Sequence, residues 1–270
     1  MRDRRRAGAA RFALGCRDSA RLVLFALLFL TPSVTAAQIA TDRPNVVESP
    51  LVVDVGMLQA EGGLAMTRTA DVDVFAAPLL VRYGIAQGWE LRLETPGLAT
   101  RTDPADVLDE TGLGDVALGA KWHLRDADAT GPGFAVLLHA DLPTGSGDFK
   151  GSGVRPSVRG TGDWALTELL TVGGLVGVRF DELDDRRFTS AILAGTLGQQ
   201  WTADFGTLVE VAFTQIASEE YGGNVGLLNF GGVFLARDWL QFDALLGLPL
   251  TNGAPDVLFT VGLSYRTALR

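Results

Sequence analysis

The sequence predicts an all-β protein: a transmembrane, antiparallel, up-and-down β-barrel of about 12 strands. Three features predict this fold: apolar and polar residues alternate in many segments, several segments could cross a bilayer, and the connections alternate between short and long. Membrane-spanning strands need about 9–11 residues, whereas strands of soluble proteins average about five or six. A soluble β-sandwich with one wet face is the alternative, but it explains neither the long strands nor the one-ended distribution of tryptophans described below.

The alternation is clearest in residues 89–94, Trp-Glu-Leu-Arg-Leu-Glu, where apolar and charged residues take turns. A period of two is typical of a strand with two different faces. Twelve such segments follow one another, an even number as in bacterial single-chain barrels. Their approximate bounds are 56–67, 73–83, 88–96, 114–124, 133–142, 156–166, 169–180, 188–200, 206–216, 224–235, 239–248 and 256–267.

The connections predict the two ends of the barrel. At one end, which we call the turn end, they cover residues 84–87, 125–132, 167–168, 201–205 and 236–238, and all but 125–132 are tight. At the other, the loop end, they are longer and rich in Gly, Asp, Pro and Ser, and cover residues 98–113, 143–155, 181–187, 217–223 and 249–255. Short turns face the periplasm and long loops the exterior in bacterial barrels.

Residues 1–37 are typical of a cleavable secretory signal peptide. An Arg-rich start precedes the apolar run 22–30, and Val34-Thr35-Ala36 is a small-residue cleavage site. A membrane anchor is the alternative, but residues 22–37 fall short of the roughly 20 needed to span a bilayer. We therefore expect export to the outer membrane of a Gram-negative cell, with outer-membrane lipid and the barrel-assembly machinery as partners.

Loss of the signal peptide makes the chain more acidic. Residues 1–36 hold seven Arg and two Asp, so the net charge changes from −9 to −14. This acidity argues against nucleic acid as a partner. The single Cys of the chain is Cys16, so no disulfide framework is expected.

Residues 38–54 do not alternate and contain Pro44 and Pro50. They are either a periplasmic leader or a segment inside the lumen, and the sequence leaves both open. Residues 55–270 are the predicted barrel.

The polar face of each strand should line the lumen and the apolar face should meet lipid. The charges either pair across the lumen and hold its shape or contact a passing solute. The predicted lumen residues are Glu61, Arg82, Glu90, Arg92, Glu94, Asp115, Lys121, Asp141, Arg159, Asp163, Arg179, Glu210 and Asp243, and His123, His139 and Arg266 share their parity.

Aromatic residues with a polar tip prefer membrane interfaces. Those expected at the turn end form a predicted girdle of Tyr83, Trp89, Trp122, Trp164, Trp201, Trp239 and Tyr265.

No catalytic site, cofactor or metal site is expected. His123 and His139 are the only imidazoles, and a metal would need further ligands and supporting hydrogen bonds. A lipid-modifying barrel enzyme would need a nucleophile beside a base at the lipid-facing rim. Both His face inward by parity, and no Ser is placed beside either.

Several motifs resemble one known family: Thr41-Asp42-Arg43-Pro44, Glu48-Ser49-Pro50, residues 56–62 and 82–85, Glu90-Leu91-Arg92, residues 114–121 and Leu142-Pro143-Thr144-Gly145. Together they are similar to the outer-membrane proteins called "putative MetA-pathway of phenol degradation", often labelled transporters. The resemblance implies a non-enzymatic, porin-like channel for a small solute, and the family name suggests an aromatic one.

A structural or adhesive barrel without transport is the alternative to the channel, and a lipid-modifying enzyme is less favoured. The lumen carries a small excess of carboxylates, and rings of carboxylates favour cations in pores. A weak cation preference is therefore expected of the channel.

Overall fold

The computed structural model describes residues 38–105, 109–183 and 186–269. The predicted signal peptide, residues 1–37, lies outside the described residues. Within them the chain forms fifteen β-strands and two short 3-10 turns, Gly147–Phe149 and Glu219–Tyr221. None of these residues forms a helix that is long and apolar enough to cross a membrane.

Three strands, β2, β5 and β6, have only four or five residues, and all the others have seven or more. The strands are β1 (Met57–Thr69), β2 (Val72–Ala76), β3 (Leu79–Ala86), β4 (Trp89–Thr95), β5 (Leu98–Thr102), β6 (Glu110–Leu113), β7 (Val116–Arg125), β8 (Gly133–Leu142), β9 (Arg155–Ala165), β10 (Leu170–Leu183), β11 (Arg186–Gln200), β12 (Phe205–Ile216), β13 (Val225–Arg237), β14 (Leu240–Pro249) and β15 (Val257–Ala268).

The strands close into one antiparallel barrel. Neighbours are hydrogen bonded in the order β15-β14-β13-β12-β11-β10-β9-β8-β7-β4-β3-β1, and β1 pairs with β15 from Met57 opposite Ala268 to Arg68 opposite Val257. This circle contains 12 strands, which confirms the predicted fold class and strand number. The remaining β2, β5 and β6 continue the sheet beside β1 toward the loop end.

Three neighbouring barrel strands are interrupted near one level. Pro78 separates β2 from β3, Pro96 and Gly97 separate β4 from β5, and Gly114 precedes β7. Proline has no N–H to donate to a ladder. Gly97 has a φ of +72°, and a Cβ there would lie 2.1 Å from the carbonyl oxygen of Ala77, so this position requires glycine. The bends bring Pro78 and Pro96 to the wall of a cavity described below.

The two faces of the strands differ as the alternation predicts. In β4, Glu90 and Arg92 are buried, whereas Leu91 between them is 49% exposed. Leu118 of β7 and Val176 of β10 are likewise exposed on the outside of the barrel. Such a continuous apolar surface would be a liability in water, and it matches the lipid-facing band of membrane barrels.

The predicted strands all overlap observed strands, but two predicted loops are partly wrong. Residues 98–113 contain β5 and β6, because β2 offers a free edge to β5 and β5 offers one to β6. Residues 181–183 continue β10 and residues 186–187 begin β11, and the two strands pair as far as Leu183 opposite Arg186. The loops predicted from Gly and Asp content are therefore longer than the loops observed at this end.

Candidate functional site

Residues 38–54, which we call the lumenal segment, run through the inside of the barrel. The N–H of Ile39 donates to the carbonyl of Asp238 in the turn between β13 and β14 (2.9 Å). After the segment, Val55 pairs with Gly84 of β3. Between these points the segment contacts inward side chains of β1, β3, β4, β7, β9, β12 and β14. It therefore enters and leaves at the turn end and occupies the lumen between.

The carboxylate of Asp42 is the centre of a buried ion network. Lys121 Nζ donates to its two oxygens at 2.9 and 2.8 Å, Arg92 Nη1 donates at 2.5 Å, and Arg82 Nη1 lies 3.6 Å away. Burial alone would raise the pKa of Asp42, but Arg82, Lys121 and Arg92 together hold that pKa well below its usual range. Asp42 is therefore a permanent anion that binds the segment to the neighbouring strands β3, β4 and β7.

Carboxylates of the barrel wall complete the network. Arg82 pairs with Glu61 (2.9 Å) and Glu90 (2.9 Å), and Arg92 pairs with Glu90 (3.1 Å). The backbone N–H groups of Asp42 and Arg43 donate to Glu61 Oε2 at 2.9 and 3.0 Å. Removing one partner from a buried ion pair costs about 3–5 kcal/mol, because the other charge stays buried and unpaired.

The two arms of the lumenal segment have further charged anchors. On the entering arm, Arg43 pairs with Asp243 of β14 (3.1 Å). On the returning arm, Glu48 pairs with Arg159 of β9 (2.9 Å), and Arg82 Nη2 donates to the carbonyl of Leu51 (2.8 Å). Ion pairs and charge-assisted hydrogen bonds therefore hold both arms.

The tip between the arms, Val46 and Val47, is held differently. Their N–H groups donate to Glu210 of β12 at 3.0 and 2.8 Å, and no described cation lies within ion-pair distance of Glu210. The side chain of Val47 packs on β10, β11 and β12, where its apolar neighbours are Leu175, Ile192, Ala194 and Ala212. Hydrogen bonds and apolar contacts hold the tip, with no ion pair of its own among the described residues.

Two cavities lie on either side of this tip. The loop-side cavity, of about 500 Å³, is lined by Val46 and by wall residues such as Leu175 and Ile192. The turn-side cavity, of about 310 Å³, is lined by Thr171, Gly198, Leu208 and others near the turn end.

The inward positions of β10 show that the tip separates the cavities. Leu175 lines the loop-side cavity, and Thr171 lines the turn-side cavity. Between them is Gly173, where a Cβ would lie 3.1 Å from Val47 Cγ1. The tip therefore lies at the level of the lumen between the two spaces.

The structure places the predicted lumen residues on the inner face of the barrel. Eight are buried: Glu61, Arg82, Glu90, Arg92, Asp115, Lys121, Glu210 and Asp243. Five are half-buried: Glu94, Asp141, Arg159, Asp163 and Arg179. Most of the buried charges are paired, as in Asp115 with Arg155 at 2.8 Å. Contact of any of them with a solute stays a prediction.

Glu94 and Asp141 make fewer hydrogen bonds and ion pairs than the other lumen carboxylates of the loop-side cavity. The backbone of Asp141 belongs to the strand ladders, but its side chain has no hydrogen bond or ion pair with a described residue. Glu94 lies 3.5 Å from His139 Nδ1, and its side chain is 45% exposed. Ala117 pairs with both residues, so the two carboxylates belong to one inward row. Negative charge therefore remains at this cavity.

The two histidines have partners other than a metal. His123 Nδ1 lies 2.9 Å from the carbonyl oxygen of Pro50, and its Nε2 lies 2.9 Å from Asp126. His139 Nδ1 lies 2.9 Å from Arg159 Nη2. Among the residues that the structure describes, no group of three or more His, Cys, Asp and Glu could hold a metal ion.

The girdle residues lie at or next to the turn end. Trp89 and Trp122 stack across β4 and β7 with ring centroids 5.1 Å apart, and Trp239 and Tyr265 meet edge to face at 5.5 Å. These four, with Trp164 and Trp201, are exposed, and Tyr83 is half-buried. Their contact with a membrane interface stays a prediction.

The sequence reasoning missed the partners that the lumenal segment supplies. Asp42, Arg43 and Glu48 were not among the predicted site residues, although they pair with Lys121, Asp243 and Arg159. The available signal was that charges occur between the prolines of a segment that cannot form a strand. The alternation of inward and outward positions applies only within strands, so it cannot identify lumen residues in such a segment.

A closed barrel with an apolar outer face and a charged interior defines a transmembrane β-barrel protein. The chain belongs to the family described as "Putative MetA-pathway of phenol degradation", whose model matches residues 41–267. The resemblance stated from the sequence is thereby confirmed. A search of curated proteins found no match.

Several solved structures share the fold. An outer-membrane channel from Pseudomonas putida F1 is 14% identical, with a TM-score of 0.60, and the match covers 84% of this chain and 99% of that chain. The KdgM porin is 14% identical, with a TM-score of 0.51 and coverage of 77% and 98%. The NanC porin is 13% identical, with a TM-score of 0.53 and the same coverage. At these identities the likeness concerns the fold.

Proposed function

We propose that the protein is a non-enzymatic outer-membrane channel for a small solute, and that the lumenal segment closes it in this structure. One observation carries the proposal: cavities of about 500 and 310 Å³ lie along the same wall of the lumen, and the tip of the segment packs on that wall at the level between them. A barrel of 12 strands is wider than the eight-stranded kind whose side chains fill the interior. Displacement of the tip would join the two cavities.

The tip is the part of the segment whose displacement needs the least free energy. The arms are fixed by Asp42, Arg43 and Glu48, each in an ion pair. The tip would give up its hydrogen bonds to Glu210 and the burial of Val47. Local opening draws on the least stabilised elements of a fold, so we expect the arms to stay in place while the tip opens.

The solute that we propose is about the size of a single aromatic ring. A cavity of about 150 Å³ suffices for benzene, so the loop-side cavity has room for one such molecule with some water. The name of the family supports an aromatic solute through its reference to phenol degradation. The KdgM porin of the same fold is described in complex with oligogalacturonate, so this architecture also occurs in a protein with a much larger ligand.

Location and export follow from the same proposal. The fold matches outer-membrane channels, which supports the outer membrane of a Gram-negative cell as the location. Cleavage of residues 1–37, insertion by the barrel-assembly machinery and contact with outer-membrane lipid are parts of this proposal.

A structural barrel without transport is the second candidate, and the buried network around Asp42 favours it. Ion pairs across the lumen fix the shape of a barrel whether or not a solute passes through it. The two candidates differ in whether the lumen conducts once the lumenal segment is removed.

Deletion of residues 38–52 therefore tests the proposal. In planar bilayers, the deletion variant should show stable single-channel currents several times larger than those of the wild type, because the tip and both arms are gone. Migration of heated and unheated samples on gels checks that the variant barrel is folded. If neither the wild type nor a folded deletion variant conducts, the channel proposal is wrong and the structural barrel stands.

A further inference from the structure

The lining of the loop-side cavity carries more negative than positive charge. It contains six carboxylates and four guanidinium groups. Four of the carboxylates are bound to cations at 2.8–2.9 Å: Asp42 to Lys121, Glu48 to Arg159, Glu61 to Arg82 and Asp115 to Arg155. The other two, Glu94 and Asp141, form no ion pair with a described Lys or Arg.

Glu94 and Asp141 lie on either side of Ala117 in one inward row. Neighbouring strands are about 4.8 Å apart, so the backbones that carry the two carboxylates are about 10 Å apart, with the methyl group of Ala117 between them. The cation next to Asp141 in this row is Arg155, but its guanidinium binds Asp115 (2.8 Å). The two carboxylates can therefore bind the same small cationic group.

A third carboxylate, that of Glu48, lies near these two. Glu48 and Asp141 are both close enough to Glu94 to repel its charge. Glu48 is 7% exposed, and its Oε1 accepts a hydrogen bond from Arg159 (2.9 Å). Its Oε2 is also buried, but it has no hydrogen-bond donor among the residues described. Buried polar atoms without a partner are rare in folded proteins, so this one, at a cavity wall, indicates that a ligand supplies the donor.

Apolar side chains lie beside the carboxylates. Leu80 is directly opposite Glu94 in the pairing of β3 with β4. Leu80, Pro78 and Pro96 all line the cavity. A cavity of about 150 Å³ suffices for benzene, so the loop-side cavity has room for a ring against these side chains. It therefore combines a negative region with an apolar surface.

We infer, on the basis of the proposed channel function, that the loop-side cavity binds a solute with a primary ammonium group on a small apolar body, and that Glu94, Asp141 and Glu48 hold the ammonium. A primary ammonium has three N–H donors, one for each carboxylate. A hydroxyl has one donor and no charge. An anion is repelled by the excess of carboxylates.

The guanidinium groups of the lining offer little to a competing anion. Arg43, Arg92 and Arg159 are each bound to a carboxylate. Arg179 has the longest pair, with Asp181 at 3.7 Å. It is the lining cation to which an anionic solute would bind, so the test includes an anion.

The experiment compares three probes with the same ring at pH 7: benzylammonium (cation), benzyl alcohol (uncharged) and benzoate (anion). Isothermal titration calorimetry measures their binding to the protein in nanodiscs, with the heat of empty nanodiscs subtracted. Benzylammonium should bind at least about tenfold more tightly than the other two, because hydrogen bonds between charged groups are the stronger ones.

Replacing both free carboxylates, Glu94→Gln with Asp141→Asn, should weaken the binding of benzylammonium at least about tenfold and leave that of benzyl alcohol within about twofold. Migration of heated and unheated samples on gels checks that the variant is folded. Asp163→Asn is the matched control, because Asp163 is also an inward, half-buried carboxylate but does not line this cavity. It should leave all three affinities unchanged.

Three results would overturn the inference. They are benzyl alcohol or benzoate binding as tightly as benzylammonium, unchanged benzylammonium binding to the folded double variant, and an equal loss of binding in Asp163→Asn. Each leaves the proposed function intact, since binding is measured separately from conductance. If benzylammonium binds as expected but deletion of residues 38–52 gives no conductance, the proposed function is wrong and the ammonium site stands.

Discussion

Replacing Asp42 by Asn is expected to release the lumenal segment while the barrel stays folded. The substitution leaves Lys121, Arg92 and Arg82 buried around a neutral amide, and it removes the charge that binds the entering arm to β4 and β7. Loss of one partner from such a network costs about 3–5 kcal/mol. The strand ladders do not involve the Asp42 side chain, so the cost falls on the segment.

The release can be measured with a cysteine on the entering arm, because Cys16 is the only native cysteine. Ile39 is 6% exposed, so the Ile39→Cys side chain should react slowly with a hydrophilic maleimide in the wild-type background. Adding Asp42→Asn should raise the labelling rate at least about a hundredfold, the change that corresponds to roughly 3 kcal/mol. An unchanged rate in a folded barrel would show that the network does not hold the segment.

Asp54→Asn provides the matched control for Asp42→Asn. Asp54 also belongs to the lumenal segment, but its side chain is 62% exposed and lies 3.9 Å from Arg266. A carboxylate that is mostly in solvent and at the limit of ion-pair distance contributes about 0–1 kcal/mol, so the labelling rate should change by less than about fivefold.

Mild acid should not reproduce the effect of Asp42→Asn. The pKa of Asp42 is lower in the folded protein than in the unfolded chain, for which about 3.9 is usual. Its contribution to stability is therefore present above that value and is lost only as the pH falls through the still lower folded-state pKa. At about pH 5 the carboxylate stays charged.

Replacing Glu210 by Gln is expected to raise the open probability of the channel without freeing the arms. Glu210 accepts hydrogen bonds from Val46, Val47 and Asn229, and the charged acceptor strengthens each of them. Loss of the charge should destabilise the closed tip by about 2 kcal/mol, or roughly 30-fold in the ratio of closed to open states. Single-channel recordings measure this ratio directly.

Asp163→Asn is the control for Glu210→Gln. Asp163 is another inward carboxylate, and it has no hydrogen bond or ion pair with the described part of the lumenal segment. Its substitution should leave the open probability as in the wild type. Equal effects of the two substitutions would mean that lumen charge in general, rather than the bonds to the tip, controls opening.

Strand number and strand faces could be predicted from the sequence because both follow from a period of two. Residues 89–94 alone assign Glu90 and Arg92 to the inside and Leu91 to the outside, as observed. The extension of the sheet by β5 and β6 could not be predicted, since it depends on the free edge of β2, a tertiary feature.

The same alternation predicts the wall residues of the candidate site but not their partners. Parity identified Lys121 and Glu210, but their partners lie in the lumenal segment, which has no period. The pairing of Lys121 with Asp42 joins residues 79 positions apart, and that of Glu210 with Val47 joins residues 163 positions apart. Local sequence carries no information on such contacts, so the position of the tip had to come from the structure.

The central claim, that the tip of the lumenal segment opens and closes the channel, is tested most directly by locking it. A Cβ at Gly173 would lie 3.1 Å from Val47 Cγ1. That carbon marks a position which the sulfur of a cysteine could take, within reach of an S–S bond of about 2.05 Å to a cysteine at position 173, so Val47→Cys with Gly173→Cys should cross-link. Single-channel current of this double variant should be abolished by oxidation and restored by a reductant, while each single variant responds to neither. Current that persists unchanged through the oxidised, cross-linked double variant would contradict the account.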